Sequence, residues 1–366
     1  MKLMYICGMY CPSYGGAEIR AYNILKYLKE ELGWEVIAIT DSRYSSTKRN
    51  MRFNKVKIKT VNHRTRVKEI EKAIMTFNPD AILTQLMWSD VALKLAKKHN
   101  IPSIMRVCSL PLELDLGINS EYSPTIIIAI SEYVKKYVKE KWDRDSIIVP
   151  PFIKLDDCIV SDKNFSPFEN KYIFMFNPLI IKGGHVFRDI SKRLPNKDFG
   201  VVLGWASLKE GKNSHTFSKR YIKRVVESGG SKFRGRVPEY INLEGCSNIR
   251  VFKPRQDVKA IYKKVRVLLI PSQWEETFGG VAIEAMANGI PVIGSDVGGL
   301  RDAIGNGGIL LKKTDVDLWV KEILKLDNYD YYKKLSAKGT KWVSKNYSEQ
   351  SIMDKTVKLI EGVVKA

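Results

Sequence analysis

Short, nearly unbroken apolar runs alternate along this chain with longer stretches whose apolar positions recur at helical spacing. Runs of the first kind read as strands buried on both faces, and stretches of the second kind as helices packed against them. In the first half, KLMYICGMY (2–10) predicts a buried strand, CPSYGG (11–16) a loop, and AEIRAYNILKYLKEEL (17–32) a helix carrying Ile19, Tyr22, Ile24, Leu25, Leu28 and Leu32. WEVIAIT and VKIKTV follow as strands; Asn78-Pro79-Asp80 turns into the strand AILTQL, a helix runs through ALKLAKKH, and PSIMRV is the next strand. TIIIAIS and SIIVP close this half around the helix EYVKKYVKEKW. Residues 150–167 lose all periodicity and read as a linker.

The pattern then restarts. KYIFMFNP, FGVVLGW, NIRVF, VLLIP, PVIGSD and GILL predict strands, with helices at HVFRDISKRL, DVKAIYKKV and GVAIEAMANG, and a mostly helical tail from Asp315. Strand–helix alternation implies parallel sheets covered on both faces. The expected fold class is α/β, with two doubly wound, Rossmann-like domains facing a central cleft and ligand at the carboxyl ends of the strands. The expected boundaries are 1–160 for an N-terminal domain and 168–345 for a C-terminal domain. A helix over 346–366 is expected to pack back toward the N-terminal domain.

Composition narrows this picture. A length of 366 residues makes two domains the default, and 44% apolar content is that of a soluble globular protein. No apolar run reaches the roughly 20 residues that span a bilayer, and the start of the chain has neither a long apolar region nor a small-residue cleavage site. The five cysteines (Cys7, Cys11, Cys108, Cys158, Cys246) are scattered, without metal-ligand spacing, and fit a reducing, cytoplasmic setting. The net charge of +21 is uneven: Arg43 to Lys72 is dense in Lys and Arg, and Lys182 to Lys264 holds twenty basic against seven acidic side chains. Such patches attract phosphates, on nucleotides or on the inner face of an anionic membrane. No zinc-finger, RNP or helix-turn-helix pattern accompanies them, so nucleic acid is not an expected partner.

The densest chemistry lies in PSQWEETFGGVAIEAMANGIPVIGSDVGG, Pro271 to Gly299. Glu276 and Glu284 flank the turn Thr277-Phe278-Gly279-Gly280, which opens a helix at the carboxyl end of the strand VLLIP. First-turn N–H groups of a helix lack internal partners and carry the positive end of its dipole, so they hold phosphate or hydroxyl oxygens. Carboxylates beside them accept from hydroxyls. A ligand that needs both is a phosphorylated or nucleotide-activated sugar. Two aspartate pairs, Asp143/Asp145 and Asp315/Asp317, match the D-x-D spacing of metal-dependent enzymes. Neither follows a strand at the expected cleft, and Asp315 suits a helix cap, so no metal and no cofactor are expected.

The ordered set Pro-Ser, Trp-x-Glu, Phe-Gly, Glu-Ala-Met-Ala-x-Gly-x-Pro-Val and Gly-Gly resembles the donor-site signature of retaining GT-B glycosyltransferases, the group that includes sucrose-phosphate synthase and bacterial mannosyl- and glucosyltransferases. The resemblance implies the GT-B fold and a metal-independent, retaining hexosyltransferase that moves a sugar from a nucleoside diphosphate to a glycan, a lipid-linked or a small-molecule acceptor. It implies Glu276 on the transferred sugar, Glu284 on the nucleotide ribose, and the backbone of Phe278, Gly279, Gly280 and Val281 along the sugar and diphosphate, next to Thr277. Tyr14-Gly15-Gly16-Ala17-Glu18 is similar to the family's glycine loop after the first strand. Asn177-Pro178 to Lys182-Gly183-Gly184-His185 is similar to the segment whose basic pair neutralises the diphosphate, so Lys182 and Gly183 join the expected site.

Two departures stand out. Asn177 occupies the place of the family's arginine, with Arg255 the candidate to supply the missing charge; Arg106-Val107-Cys108 stands where many relatives carry a histidine. These departures motivate a different class, a non-catalytic nucleotide-sugar or glycan-binding protein with the same fold. Charge alone motivates a third, nucleic-acid binding. The basic run from Arg43 suggests peripheral contact with an anionic membrane or a lipid-linked acceptor.

Overall fold

The first apolar run forms a strand over Lys2–Ile6 (β1), with all but Lys2 buried. The computed structural model describes residues 1–10, 15–43, 55–110, 122–203, 243, 245–253, 255 and 257–365. Contacts divide the chain into one unit of Met1–Ile153 with Glu349–Ala366 and another of Lys154–Ser348. In the first unit β1 is joined by β2 (Glu35–Asp41), β3 (Lys57–Val61), β4 (Ala81–Gln85), β5 (Ser103–Val107), β6 (Ile126–Ala129) and β7 (Ile147–Ile148). Their order is β3-β2-β1-β4-β5-β6-β7, and every pair is parallel. The winding reverses between β1 and β4, which opens a crevice at the carboxyl ends of those strands.

The second unit repeats the plan. Its strands are β8 (Tyr172–Phe176), β9 (Phe199–Val202), β10 (Ile249–Phe252), β11 (Val265–Ile270), β12 (Val292–Ser295) and β13 (Ile309–Leu311), in the order β10-β9-β8-β11-β12-β13, all parallel. The reversal here lies between β8 and β11. Ile173, Phe187, Ile190, Phe199, Val267, Leu269, Ile293 and Trp319 form the core that fixes these strands, each no more than 4% exposed. A near-continuous apolar strand is satisfied only when both faces are covered, which the helices Gly184–Arg193 and Val316–Lys325 help to do.

The sequence reading misses the short helix Leu300–Ile304 and the longer helix Arg66–Phe77. Its apolar stripe consists of Ile70, Ala73 and Ile74, at the i, i+3, i+4 spacing of one face, and all three are buried. The surrounding lysines and arginines hid that narrow stripe. The aspartate pairs have local partners. Asp315 caps the helix Val316–Lys325 by accepting from the Leu318 N–H at 3.2 Å, while Asp143 and Asp145 pair with Lys139 at 3.1 and 3.4 Å. Among the described residues no helix is long and apolar enough to cross a membrane. Much of the expected basic stretch, residues 204–242, and part of the Arg43–Lys72 run, residues 44–54, lie outside the described residues.

Candidate functional site

After β11 the chain passes through Pro271–Gly279 into the helix Gly280–Ala287. Within this loop Glu276 is only 13% exposed in its side chain, and Lys182, from the turn after β8, donates to both of its carboxylate oxygens at 2.6 and 2.7 Å. The Ser272 hydroxyl lies 2.9 Å from Oε1 of the same carboxylate and is fully buried. A charge-assisted contact to both oxygens fixes the carboxylate plane more firmly than a single bond could.

Glycine makes this meeting of loops possible. Gly183 sits at φ +81°, and a Cβ there would lie 1.7 Å from the carbonyl oxygen of Pro271. The turn bearing Lys182 therefore presses directly on the end of β11, where the N–H groups of Gln273 and Trp274 both donate to the Ile181 carbonyl at 3.0 Å. On the other side, Gly298 and Gly299 pack under the Glu276 backbone. The Gly299 N–H donates to the Glu276 carbonyl at 2.6 Å, and a Cβ on Gly298 would come within 2.4 Å of that oxygen.

The turn into the helix is held as tightly. Gly279 caps it at φ +108°, a conformation that favours glycine, and Phe278 is buried with its ring 5.5 Å from that of Tyr347. Thr277, Gly280 and Val281 stay partly exposed at the helix tip. One turn on, Glu284 accepts from the hydroxyl of Tyr262 at 2.8 Å, and Tyr262 is itself completely buried.

The structure thus brings Lys182, Gly183 and Glu276 together and sets Gly279, Gly280, Val281 and Glu284 along the adjoining helix start. Asn177 ends β8 in a left-handed conformation, φ +58°, with its Oδ1 buried and without a hydrogen-bond partner. Arg255 is exposed, and no hydrogen bond or ion pair joins it to Lys182 or Glu276 among the described residues, so nothing shows it taking over the missing charge. Ser272 and Tyr262 are contributions that sequence reasoning did not assign. Ser272 lies inside the quoted motif, whereas Tyr262 carries no local mark.

In the first unit Gly15 and Gly16 open the helix Gly16–Glu30. The space a side chain would need there is taken by the helix itself: a Cβ on Gly15 would lie 1.9 Å from Oε2 of Glu18, and one on Gly16 2.5 Å from Nη1 of Arg20. Burial pushes the Glu18 carboxyl above its usual range. Tyr14 lies outside the described residues. Arg106 is 4% exposed at the end of β5, and the nearby Cys108 thiol is pushed up by burial to about 11.

Residues 241–342, which contain the Glu276 loop and its helix, match the family described as Glycosyl transferases group 1. The chain is similar to this family over that segment. It is 34% identical over 112 residues to D-inositol 3-phosphate glycosyltransferase of Corynebacterium efficiens, a match covering 28% of this chain and 26% of that protein. The alignment therefore spans about a quarter of that relative's length. An uncharacterized glycosyltransferase of Methanocaldococcus jannaschii is 24% identical over 366 residues, covering 94% of each chain. Among solved structures, Anabaena HepE in complex with UDP-glucose superposes with a TM-score of 0.76 at 14% identity, covering 99% of this chain and 100% of the other. At that identity the likeness speaks for the fold. Two parallel, Rossmann-like units in one chain make it GT-B.

Proposed function

We propose that this protein is a metal-independent, retaining hexosyltransferase whose second unit holds a nucleoside diphosphate sugar. The observation that carries the reading is the Lys182–Glu276 pair beside the free helix tip at Gly280. A lysine, a carboxylate and the first-turn backbone N–H groups of a helix supply what a diphosphate, a sugar hydroxyl and the junction between them require. In this reading Lys182 leaves Glu276 for the β-phosphate when the donor arrives, and Glu276 turns to the sugar hydroxyls. Glu284, fixed by Tyr262, accepts from the ribose. Crystals of HepE with UDP-glucose make a uridine donor the first to try.

In the transfer step the bond between the anomeric carbon and the diphosphate oxygen breaks as the acceptor oxygen bonds to that carbon from the same face. The acceptor's proton passes to the departing diphosphate, so no separate base is required. Charge developing on that leaving group is what Lys182 and the helix tip stabilise. The acceptor is a glycan, a lipid-linked or a small-molecule alcohol. The helix Arg66–Phe77 supports a peripheral membrane site, since Val67 and Met75 are 42% and 71% exposed beside Lys68 and Lys72.

The test is thermal stabilisation of the full chain by a panel of nucleotide sugars, followed by transfer assays with the best one. A ligand present at about 100 times its dissociation constant stabilises the native state by about 2.7 kcal/mol. Lys182→Ala should lower turnover by about 100-fold or more, as loss of an electrostatic contact to the leaving group does elsewhere, and Glu276→Ala, which removes the contact to the sugar hydroxyls, should lower it drastically too, both with unchanged circular dichroism. Wild-type turnover in either variant removes the site assignment.

A further inference from the structure

We propose that Asn288 is the residue that positions Glu284 for the nucleotide ribose, by tying its helical turn to the segment 158–160 through one buried amide. The inference rests on the nucleotide-sugar reading above and adds to it a residue that acts on the ribose through Glu284.

The helix Gly280–Ala287 is short enough that Glu284 is one of its last four residues, whose carbonyls lack main-chain partners within the helix. The Asn288 N–H, which would reach Glu284 in a continuing helix, donates instead to the Ala285 carbonyl at 3.0 Å. The side chain of Asn288 takes its place: Nδ2 donates to the Glu284 carbonyl at 2.8 Å. The same nitrogen donates to the Cys158 carbonyl at 3.1 Å, and Oδ1 accepts from the Val160 N–H at 2.8 Å. Cys158 and Val160 are 130 and 128 positions away along the chain, and all three residues are buried.

Only an amide side chain offers two N–H donors and an acceptor oxygen without carrying charge. With three bonds made, the Asn288 amide has a single orientation. Ending the helix does not require those bonds. Gly289 follows at φ +68°, and its N–H donates to the Met286 carbonyl at 3.0 Å, so main-chain geometry already closes the helix. The side chain of Asn288 therefore serves to fix where the turn of Glu284 lies. The Glu284 carboxylate accepts from the Tyr262 hydroxyl and its carbonyl from Asn288, so a buried group holds each end of this residue. Tyr262 opposes rotation of the carboxylate, and Asn288 opposes slippage of the turn that carries it. A binding group has to be held within about 0.5 Å of its productive place, which is the task of such supporting bonds.

The experiment measures by calorimetry the affinity of the full-length protein for UDP, ADP and GDP, each against its 2′,3′-dideoxy analogue, which lacks both ribose hydroxyls. Wild type, Asn288→Ala and Asn288→Asp are compared. Wild type should prefer the ribonucleotide of the pair it binds by about tenfold, the worth of a hydrogen bond to a charged group. Asn288→Ala should lose most of that preference, binding the ribonucleotide about 3- to 10-fold more weakly and the dideoxy analogue within about twofold of wild type. Asn288→Asp keeps the acceptor for Val160 and loses both donors, so it should behave as Asn288→Ala does. A purely structural role weakens both nucleotides alike, so equal losses in Asn288→Ala, or an unchanged preference, overturn the proposal. Equal binding of ribo- and dideoxynucleotide by wild type, or binding of none, overturns the ribose reading of Glu284 itself, and the inference falls with it. Should neither variant fold, hydrogen exchange of wild type decides. A ribose that steadies Glu284 also steadies the Asn288 amide, so the ribonucleotide should slow exchange of the Val160 N–H and the dideoxy analogue should not. Equal slowing by both, or none by either, refutes the coupling.

Discussion

Gly183→Ala places a methyl group 1.7 Å from the carbonyl oxygen of Pro271 and 2.5 Å from its carbon, on a backbone at φ +81°. The left-handed conformation costs an L-residue about 1–2 kcal/mol, and forcing a group into filled space adds roughly 1–3 kcal/mol. Both Pro271 atoms belong to the main chain, so no side-chain rotation relieves the overlap. The two terms together come to about 2–5 kcal/mol, which in a unit of this size lowers Tm by about 4–20 °C. Gly245→Ala is the matched control in the same unit: φ is +76°, but among the described residues nothing lies within 4 Å of the added Cβ. It bears the conformational term alone, with an expected loss of about 2–8 °C. Differential scanning calorimetry of the two variants and wild type measures both. Because relief of the clash must shift the turn carrying Lys182, Gly183→Ala should also lose most of the stabilisation that UDP-glucose confers, and Gly245→Ala should keep it. Equal Tm losses in the two variants, with donor stabilisation intact, would refute the claim that the Lys182 turn is seated on the end of β11.

Tyr262→Phe removes the hydroxyl that holds Glu284 at 2.8 Å while leaving the buried ring. The donor KM should rise about 3- to 10-fold, the worth of one hydrogen bond, with kcat nearly unchanged, as for a contact equally strong in ground and transition states; a fall in kcat at constant KM would contradict the ribose role of Glu284. Glu18→Gln tests the cost of burying a carboxylate. Burial raises the Glu18 pKa in the folded protein, so the folded state binds the proton more tightly and wild type loses stability as pH rises from the ordinary carboxylate value through the folded one. The glutamine variant should therefore melt higher than wild type at pH 7, with the advantage gone at pH 4, where the carboxyl is protonated in both states; an advantage independent of pH would show that desolvation is not its source.

Two doubly wound units were legible in the apolar runs because a strand buried on both faces must be apolar along its whole length, whatever the rest of the protein does. β8, β11 and β12 read off the chain for that reason, and so did the helix Glu132–Trp142. The helix Arg66–Phe77 did not, because only Ile70, Ala73 and Ile74 are needed to seat it and its charges outnumber them. Glycines at a strand-to-helix turn marked Gly279 and Gly280 as a helix start for a local reason, since the conformation they adopt is set by their own backbone.

Contacts between distant segments are another matter. Lys182 and Glu276 are 94 positions apart, and their 2.6 Å contact exists because β8 and β11 are neighbours in the sheet, an outcome of packing among many side chains at once. Tyr262 reaches Glu284 for the same reason, and Gln85 reaches Arg106 because β4 lies beside β5. The sequence by itself determined most of the strands and helices and the helix start at Gly279 and Gly280, because those depend on neighbours within a few residues. Only the tertiary structure decided which charges are paired and which are buried, because a charge's energy depends on everything that surrounds it in space.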